Sequence, residues 1–419
     1  MKILIVNTSE RIGGAAVAAH RLTDALNKHG VKAKMLVRDK QTTGVTTIPL
    51  PTSWRRRWHF LWERFVIWWH NGFSRKNLFA VDIANAGTDI TRLPEFKEAD
   101  LIHLHWINQG MLSLDNIRKI VASGKPVVWT MHDMWPCTGI CHHARECNGF
   151  HGQCGQCFYL RFPKDKDLSY KVLAKKRQAY AGGKIHFVTC SHWLEKLAKQ
   201  SNLLAGSDVR TIHNALNTSL FQPADRQEAR RHLDLPADKR LILFGSVKIT
   251  DKRKGIDYFV EACHRLVKKA PELDGQLGIV VFGSGASALA ELLPLPVYPL
   301  GYIQGEQEMT HVYNAVDLYA TPSLEENLPN TIAEAMACGT PCVGFNIGGI
   351  PEMIDHRING YVAAYRNAED FAQGIHWILQ EADGESLAIQ ARKKAINAYS
   401  EESVARQYIR LYEEIPHYS

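Results

Sequence analysis

Residues 319–354 read YATPSLEENLPNTIAEAMACGTPCVGFNIGGIPEMI. This stretch predicts a βαβ unit of a parallel sheet. An apolar strand at Leu318–Ala320 runs into the loop Thr321–Pro329 and then into a short helix. Gly339 stands where a C-terminal helix cap is expected. A buried strand, Pro341–Phe345, follows it.

Two carboxylates stand eight residues apart in this unit, Glu326 in the loop and Glu334 on the helix. One interpretation is an ordinary βαβ unit with two surface glutamates. The other is a phosphate site, because the backbone N–H groups and the dipole of a helix N-terminus favour an anion. The two carboxylates would then accept hydrogen bonds from hydroxyl groups on either side of the phosphate. A ligand with a central pyrophosphate and hydroxyls at both ends is a nucleotide sugar.

The same alternation of strands and helices fills the first half of the chain, which predicts a parallel, doubly wound α/β sheet. The first strand, Lys2–Asn7, leads into a glycine turn that contains Gly13 and Gly14. This turn lacks the full G-x-G-x-x-G pattern, so a dinucleotide fingerprint is not met. It lies at the carboxyl end of its strand, where α/β folds bind ligands. A tight βα turn and a ligand loop remain open interpretations.

The composition is that of a folded protein of two or three domains, with 419 residues, 45% hydrophobic residues and a net charge of +7. No apolar run approaches the ~18–20 residues that span a bilayer. We also expect no signal peptide, and hence a cytoplasmic protein. The charge fits an anionic ligand or an anionic membrane surface. Nucleic-acid binding is disfavoured, because the basic residues do not form a stripe with stacking aromatics.

Residues 53–70 read SWRRRWHFLWERFVIWWH and hold five of the ten tryptophans and four arginines. Helical spacing places Trp54, Trp58, Trp62, Phe65 and Trp69 along one stripe. One interpretation is a helix packed on the sheet, with its arginines in solvent. We favour a peripheral contact with the membrane headgroups, because indole rings beside arginines suit that interface. Residues 71–92 are expected to form a mobile loop on the acceptor side.

Histidines follow two predicted strands, DLIHLH at Asp100–His105 and KPVVWT at Lys125–Thr130. Strand alternation places His103 and His105 on one face. His132 follows the second strand. Both strand ends fall at the ligand-binding edge of the predicted sheet, so these histidines are candidate site residues.

Five of the nine cysteines lie within residues 137–157. In a cytosolic protein such a cluster indicates a metal site before a disulfide. A structural zinc site is one interpretation, and disulfides and reduced thiols are the others. Its four thiolate ligands would be Cys141, Cys147, Cys154 and Cys157. The alternative ligands are His142, His143 and His151.

A basic loop, SVKITDKRKG at residues 246–255, precedes a helix predicted to start near Ile256. Four cations next to a helix N-terminus attract phosphate both by their own charge and by the N–H groups of the helix. A solvated basic loop is the alternative interpretation. Gly283 ends a further apolar strand and begins another βα turn.

The chain resembles the retaining, GT-B fold glycosyltransferases of family 4 over nearly its whole length. The resemblance rests on the E-x7-E spacing of Glu326 and Glu334, an H-x-H stretch ending at His105, a T-x-H stretch ending at His132, and Lys254 followed by glycine. It is closest to a branch that assembles polysaccharides and carries a cysteine-rich insert. The resemblance implies two Rossmann-like doubly wound domains facing a cleft.

The resemblance also implies roles for individual residues. Glu326 would bind sugar hydroxyls, Glu334 the ribose, and His105 the donor sugar. Lys254 would neutralise the leaving diphosphate. His132 is the acceptor-side candidate. The remaining donor-binding candidates are Gly13, Gly14, Lys248, Arg253, Gly283, Asn327, Leu328 and Pro329.

We therefore expect three segments: an acceptor-side domain at residues 1–217, a nucleotide-sugar domain at 218–398, and a C-terminal helix at 399–419 that crosses back to the first domain. The expected reaction transfers a sugar from a nucleoside-diphosphate sugar to a polyprenyl-linked glycan in cell-surface polysaccharide synthesis, at the inner face of the cytoplasmic membrane. No cofactor is expected to be required for catalysis. The alternatives are a nucleotide-sugar 2-epimerase of the same fold and a non-catalytic scaffold.

Overall fold

The computed structural model describes residues 1–51, 54–273 and 275–416, with the backbone alone for residues 54–56 and 288. The chain forms two compact units. The first combines Met1–Ala215 with the C-terminal segment that begins at Val404, and the second is Leu216–Ser403. The sequence alone predicts the two domain boundaries after residues 217 and 398.

The first unit is built on a seven-stranded sheet in the order β3-β2-β1-β4-β5-β6-β7, and every pairing in it is parallel. Its central strands are buried along their whole length, because helices cover both faces of a doubly wound sheet. The strands are β1 (Lys2–Ser9), β2 (Lys32–Asp39), β3 (Thr47–Pro49), β4 (Leu101–Leu104), β5 (Val127–Met131), β6 (Ile185–Thr189) and β7 (Asp208–Thr211). The helices are α1 (Gly14–Lys28), α2 (Trp54–His70), α3 (Pro94–Glu98), α4 (Leu114–Val121), α5 (Leu168–Tyr180) and α6 (His192–Gln200).

The second unit is built on a six-stranded parallel sheet in the order β10-β9-β8-β11-β12-β13. Its strands are β8 (Arg240–Lys248), β9 (Leu277–Ser284), β10 (Val297–Gly301), β11 (Leu318–Thr321), β12 (Cys342–Phe345) and β13 (Gly360–Ala363). Its helices are α7 (Arg226–His232), α8 (Ile256–Lys269), α9 (Glu306–Ala315), α10 (Asn330–Ala337), α11 (Ile350–Met353), α12 (Ala368–His376) and α13 (Gly384–Tyr399). The last helix, α14 (Glu401–Glu414), packs with the first unit from Val404 onward.

The βαβ unit predicted around residues 319–354 folds as β11, α10 and β12. Gly339 adopts a left-handed conformation with φ of 78° just after α10, as expected of a residue that ends a helix. The prediction of two Rossmann-like, parallel α/β domains is confirmed.

Each sheet has a point where the strand order reverses, between β1 and β4 in the first unit and between β8 and β11 in the second. The connections that follow these two neighbouring strands run to opposite sides of the sheet. The loops after the two strands therefore diverge and leave a crevice between them. Ligands of doubly wound sheets bind in this crevice, at the carboxyl ends of the strands. The glycine turn at Gly13 and the loop of Glu326 both lie at such points.

The segment 71–92 differs from its prediction as a mobile loop. Val81 forms an isolated bridge with Cys141, and the Asp82 N–H donates to the Ile140 carbonyl over 2.9 Å. Ile83 and Ala84 are buried. Residues 81–84 are therefore part of the core of the first unit, whereas Phe73 and Phe79 of the same segment are exposed.

Candidate active site

Two loops of the second unit meet at the carboxyl ends of β8 and β11. Gly255 caps the N-terminus of α8 with φ of 71°, and a Cβ atom there would lie 1.8 Å from the Pro322 carbonyl oxygen. The Leu324 N–H donates to the Arg253 carbonyl over 2.7 Å. Only glycine permits this close approach, which joins the basic loop to the loop of Glu326.

Lys254 and Glu326 form an ion pair between these two loops. The Lys254 side chain is 33% exposed and that of Glu326 is 14% exposed. The structure thus brings together two predicted site residues that lie 72 positions apart in the sequence. The ammonium group of Lys254 lies where the two loops meet, paired with Glu326.

Two further cations of the basic loop, Arg253 and Lys248, are placed differently. Arg253 forms two hydrogen bonds with Asp251, of 3.1 and 2.7 Å, and these bonds raise the pKa of the guanidinium. Lys248 is exposed at the end of β8. Sequence reasoning missed Asp251, although its position two residues before an arginine in a turn was a signal.

Glu334 is held in place by a tyrosine of the neighbouring helix α9. It is buried in α10, and the Tyr313 hydroxyl of α9 donates to its Oε2 atom over 2.8 Å. Burial raises the pKa of Tyr313 well above its ordinary value, so this hydroxyl keeps its proton and donates. Sequence reasoning missed Tyr313, because its partnership with Glu334 depends on the packing of α9 against α10.

The glycine turn after β12 supports the loop before α10. A Cβ atom at Gly348 would lie 1.8 Å from the Glu326 carbonyl oxygen. The Gly349 N–H donates to the Asn327 carbonyl over 2.7 Å. Asn327 and Leu328 are both 8% exposed, so this loop is fixed by packing on both sides.

Three helices that follow strands at the switch points of the two sheets begin without a side-chain cap. Among the described residues, no side chain caps α1 at Gly13, α8 at Gly255 or α10 at Pro329. The same holds for α9 at Gly305, whereas Ser113 caps α4 and Asp383 caps α13. Helix ends without a capping oxygen are suited to an anionic ligand. Gly14 is the first residue of α1, and Gly283 in β9 has φ of 116° and packs against the Ser246 carbonyl.

The three histidines at the strand ends of the first unit, His103, His105 and His132, form one cluster. The His103 and His105 rings lie 4.3 Å apart, and Nδ1 of His105 is 2.9 Å from Nε2 of His132. His103 is held on both nitrogens, by Thr130 and by the Tyr412 hydroxyl of α14, each at 2.8 Å. The Nε2 atom of His105 is buried without a hydrogen-bond partner among the described residues.

Burial keeps this cluster neutral. It lowers the pKa of His103 to about 3, of His132 to about 4, and of His105 well below its ordinary value. Of the three, His105 is the one whose ring keeps a buried nitrogen without a hydrogen-bond partner among the described residues.

A buried charge network lies next to the cluster and was not predicted. Arg64 of α2 pairs with Glu63 and Asp82, and all three are nearly inaccessible to solvent. His142 joins Asp82 to Asp133 by contacts of 2.6 and 2.7 Å. Asp133 follows His132 directly and also accepts from the Trp106 indole, so the network supports the strand ends that carry the histidines.

The aromatic stripe of α2 faces solvent. Its exposed side chains form what we term the aromatic face: Trp58, Leu61, Trp62, Phe65 and Trp69, with Phe73 just beyond the helix. Their exposed fractions run from 44% to 57%. The interpretation of arginines in solvent is wrong for Arg64, which is buried on the opposite side of the helix. The Trp54 side chain and residues 52 and 53 lie outside the described residues.

All nine cysteines are free thiols, and no disulfide links them. Burial raises the pKa of Cys141 to about 12 and of Cys157 to about 11. Lys176, fully buried below this loop, donates to the Trp135 carbonyl at 2.5 Å and the Thr138 carbonyl at 3.0 Å, and burial lowers its pKa to about 7.

No helix in the described part of the chain is both long and apolar enough to span a bilayer. A cavity of about 620 Å³ lies in the second unit between α13 and the end of α10, away from the loops just described, and is lined by Asn314, Gly339 and Arg392 among others.

Comparisons with known proteins agree with this architecture. Residues 12–220 match the family model described as Glycosyltransferase Family 4, and residues 238–381 match that described as Glycosyl transferases group 1. A D-inositol 3-phosphate glycosyltransferase from Saccharomonospora viridis is 32% identical over 180 residues, which are 40% of this chain and 41% of that protein. The chain thus spans less than half the length of this curated relative.

Solved structures of similar fold cover the whole chain. Sucrose-phosphate synthase from Thermosynechococcus elongatus superposes with a TM-score of 0.69 at 19% identity, covering 99% of this chain and 98% of that one. Anabaena HepE in complex with UDP superposes with a TM-score of 0.64 at 16% identity, covering 99% and 100%. By its fold and its two family matches, the chain belongs to the GT-B glycosyltransferases, with a family 4 domain followed by a group 1 domain.

Proposed function

We propose that this protein is a retaining glycosyltransferase that takes its sugar from a nucleoside-diphosphate sugar bound on the second unit. The observation that carries the proposal is the pairing of Lys254 with Glu326 beside the uncapped N-terminus of α10. This arrangement offers a cation and backbone N–H groups to a diphosphate, and two carboxylates to hydroxyls. The complexes of Anabaena HepE with UDP and with UDP-glucose support the choice of ligand.

The chemistry follows from where charge develops. As the glycosidic bond to the diphosphate breaks, negative charge grows on the leaving oxygen. Lys254 and the N-termini of α8 and α10 stabilise that charge, and such fixed donors are worth about 3–4 kcal/mol each in a dry site. Glu326, released from Lys254 by the diphosphate, accepts hydrogen bonds from the sugar. Glu334, fixed by Tyr313, accepts them from the ribose.

Retention is proposed to occur by attack on the same face that the diphosphate leaves. The leaving phosphate then takes the proton of the acceptor hydroxyl, so no protein nucleophile is needed. His105 contributes a neutral imidazole, which hydrogen-bonds a sugar hydroxyl without competing for the phosphate charge. His132 holds His105 in place through their 2.9 Å contact, on the side assigned to the acceptor.

The acceptor is proposed to be a polyprenyl-linked glycan, reached at an anionic membrane through the aromatic face. Three observations support the contact: the side chains are apolar, they are exposed together, and basic residues surround them. Arg57, Arg75 and Arg161 are exposed near either end of α2. Indole rings beside cations suit the headgroup layer of a bilayer.

The membrane contact is tested by co-sedimentation with vesicles of neutral lipid, with and without anionic lipid. Trp62→Ser combined with Trp69→Ser should lower the vesicle partition coefficient about tenfold for each ring removed, since a buried aromatic side chain is worth roughly 1.5–3 kcal/mol. Tyr302→Ser, which changes a 64% exposed aromatic of the second unit, is the matched control. Equal binding of the wild type, the double tryptophan variant and Tyr302→Ser would refute the membrane contact.

The donor is tested by thermal shift and hydrolysis assays over UDP-, GDP- and ADP-sugars. We expect one nucleotide to stabilise the protein and its sugar to be released slowly without an acceptor. Release of an epimerised sugar nucleotide would instead identify a 2-epimerase. Absence of stabilisation by every nucleotide would overturn the donor site.

A structural zinc site in the cysteine-rich insert is also proposed. Cys141, Cys147, Cys154 and Cys157 are free thiols within one insert, and the charges of Cys157 and Cys154 act on the pKa of Cys141. Among the described residues, no three of their sulphur atoms lie within 4.8 Å of one another, so metal binding would draw this loop together. Four thiolates would close the coordination sphere, so the metal would fasten the loop and take no part in the reaction. Metal analysis of the purified protein should find one zinc that is lost in Cys154→Ser; a zinc-free wild-type protein would contradict the site.

A further inference from the structure

A second group of metal-ligating side chains lies on the surface of the second unit, where α7 packs against α9. His232 is the last residue of α7. Glu308 and His311 lie one turn apart on α9, three residues from each other, and so share one helix face. Among the described residues, this is the one group of three or more histidine, cysteine or acidic side chains with one ligand atom each within 4.8 Å of all the others.

The local geometry already approaches that of a coordination site. Nε2 of His232 lies 3.0 Å from Oε2 of Glu308, and the His232 and His311 rings are 4.3 Å apart at 34°. Ligands at about 2.0–2.2 Å from a tetrahedral zinc ion lie roughly 3.3–3.5 Å from one another. Small rotations of exposed side chains therefore suffice to bring the three ligand atoms to that spacing.

The donor set selects the class of metal. Two imidazole nitrogens and one carboxylate oxygen suit Zn²⁺ and neighbouring late transition metals, whereas Mg²⁺ and Ca²⁺ require mostly oxygen ligands. His232 and Glu308 are 46% and 45% exposed, so an ion reaches the site directly from solvent and a water completes its coordination.

We propose that His232, Glu308 and His311 form a Zn²⁺ site that fastens α7 to α9. Arg230, two residues before His232 on α7, already ties this helix to the end of α9, because it donates to the Ala315 carbonyl over 2.8 Å and to Asp317 over 2.9 Å. A metal at His232 adds a second tie, one turn earlier on α9. His311 lies two residues before Tyr313, the tyrosine that donates to Glu334.

The test measures metal binding itself and does not depend on glycosyl transfer. Zn²⁺ is titrated by equilibrium dialysis into the full chain and into His311→Ala, His232→Ala and Glu308→Gln. Loss of a ligand should weaken binding at this site at least ~10–100-fold, the cost known for residues one shell further out. His376→Ala is the matched control, because His376 also forms ion pairs, with Glu381 and Glu272, but has no second imidazole.

Cobalt distinguishes this site from the cysteines. Co²⁺ bound by thiolates gives an intense charge-transfer band in the near ultraviolet, which a nitrogen–oxygen set lacks. The measurement is made in a Cys154→Ser background, which removes the proposed cysteine site. The expected result is one equivalent of Co²⁺ without that band, present in this background and in the control and lost when either histidine is replaced. Zn²⁺ should also raise Tm in this background and not when either histidine is replaced.

Two results would overturn the proposal. One is identical Zn²⁺ stoichiometry and affinity in the wild type, His311→Ala and His232→Ala. The other is Co²⁺ bound only with the thiolate band. Because the two histidines belong to different helices, misfolding of one variant leaves the other to decide.

Discussion

Replacing Lys254 by methionine is the most direct test of the proposed donor site. The change removes one cation and keeps the length and the apolar stem of the side chain. Lys254 lies beside Glu326 where the loops after β8 and β11 meet, which is where a leaving diphosphate would bind. Two unit charges about 4 Å apart interact with about 4 kcal/mol at an effective dielectric constant of 20. Loss of one preorganised donor typically lowers kcat about 10²–10³-fold.

The same change should have little effect on stability. The Lys254 side chain is one-third exposed, and ion pairs of this kind contribute about 0–1 kcal/mol to folding. The assay is therefore a comparison of kcat for release of the nucleoside diphosphate with Tm for the same proteins. A loss of kcat with an almost unchanged Tm is expected.

Lys252→Met is the matched control, since Lys252 belongs to the same turn and is exposed. Its kcat should remain within about threefold of the wild type, because an exposed charge is screened by water and salt. A Lys254→Met enzyme with kcat within tenfold of the wild type, or a loss equal to that of Lys252→Met, would refute the assignment of Lys254 to the leaving group.

Three further predictions concern the supporting residues. Tyr313→Phe removes the donor to Glu334 and should raise KM for the nucleotide sugar about 10–100-fold, the loss of one hydrogen bond to a charged group, with kcat less affected; an unchanged KM would contradict the role. His103 has a folded pKa of about 3, so between pH 6.5 and 5 the unfolded chain binds a proton that the folded chain does not. Stability should fall with pH by roughly 2 kcal/mol over this interval, seen as a lower urea midpoint. Arg64→Met removes the buried cation shared by Glu63 and Asp82 and should cost about 3–5 kcal/mol in urea unfolding, whereas the exposed Arg118→Met should cost under about 1 kcal/mol.

Local sequence was sufficient to predict the fold class. The alternation of apolar runs with helical periodicity, and the glycines between them, predict parallel doubly wound sheets, and both sheets are found. The reason is that burial on both faces forces a continuous apolar strand, which is visible in a single segment. The position of Gly339 after α10 was predicted for the same reason, since a left-handed cap is a local requirement.

The candidate site rests on motifs in the sequence, and the roles of its residues stay predictions. Glu326, Lys254 and His105 were singled out because their motifs resemble those of the family. Tyr313 and Asp251 were not, because nothing within their own segments marks them as partners of site residues. The four cysteines remain a predicted zinc site, since their spacing in the chain does not determine how their sulphur atoms are arranged.

The orientation of α2 shows most clearly what the tertiary structure decided. The sequence determined an amphipathic helix with tryptophans on one stripe, but two opposite placements satisfied that pattern. In the fold, Ile67 and the ion pair of Arg64 face inward, and Trp62 and Trp69 face solvent. The physical reason is that Arg64 pairs with the buried Asp82, and Glu63 accepts from the backbone N–H groups of Ile83 and Ala84, so this side of the helix faces the core. Those partners lie about 20 residues away in sequence and are known only once the chain has folded.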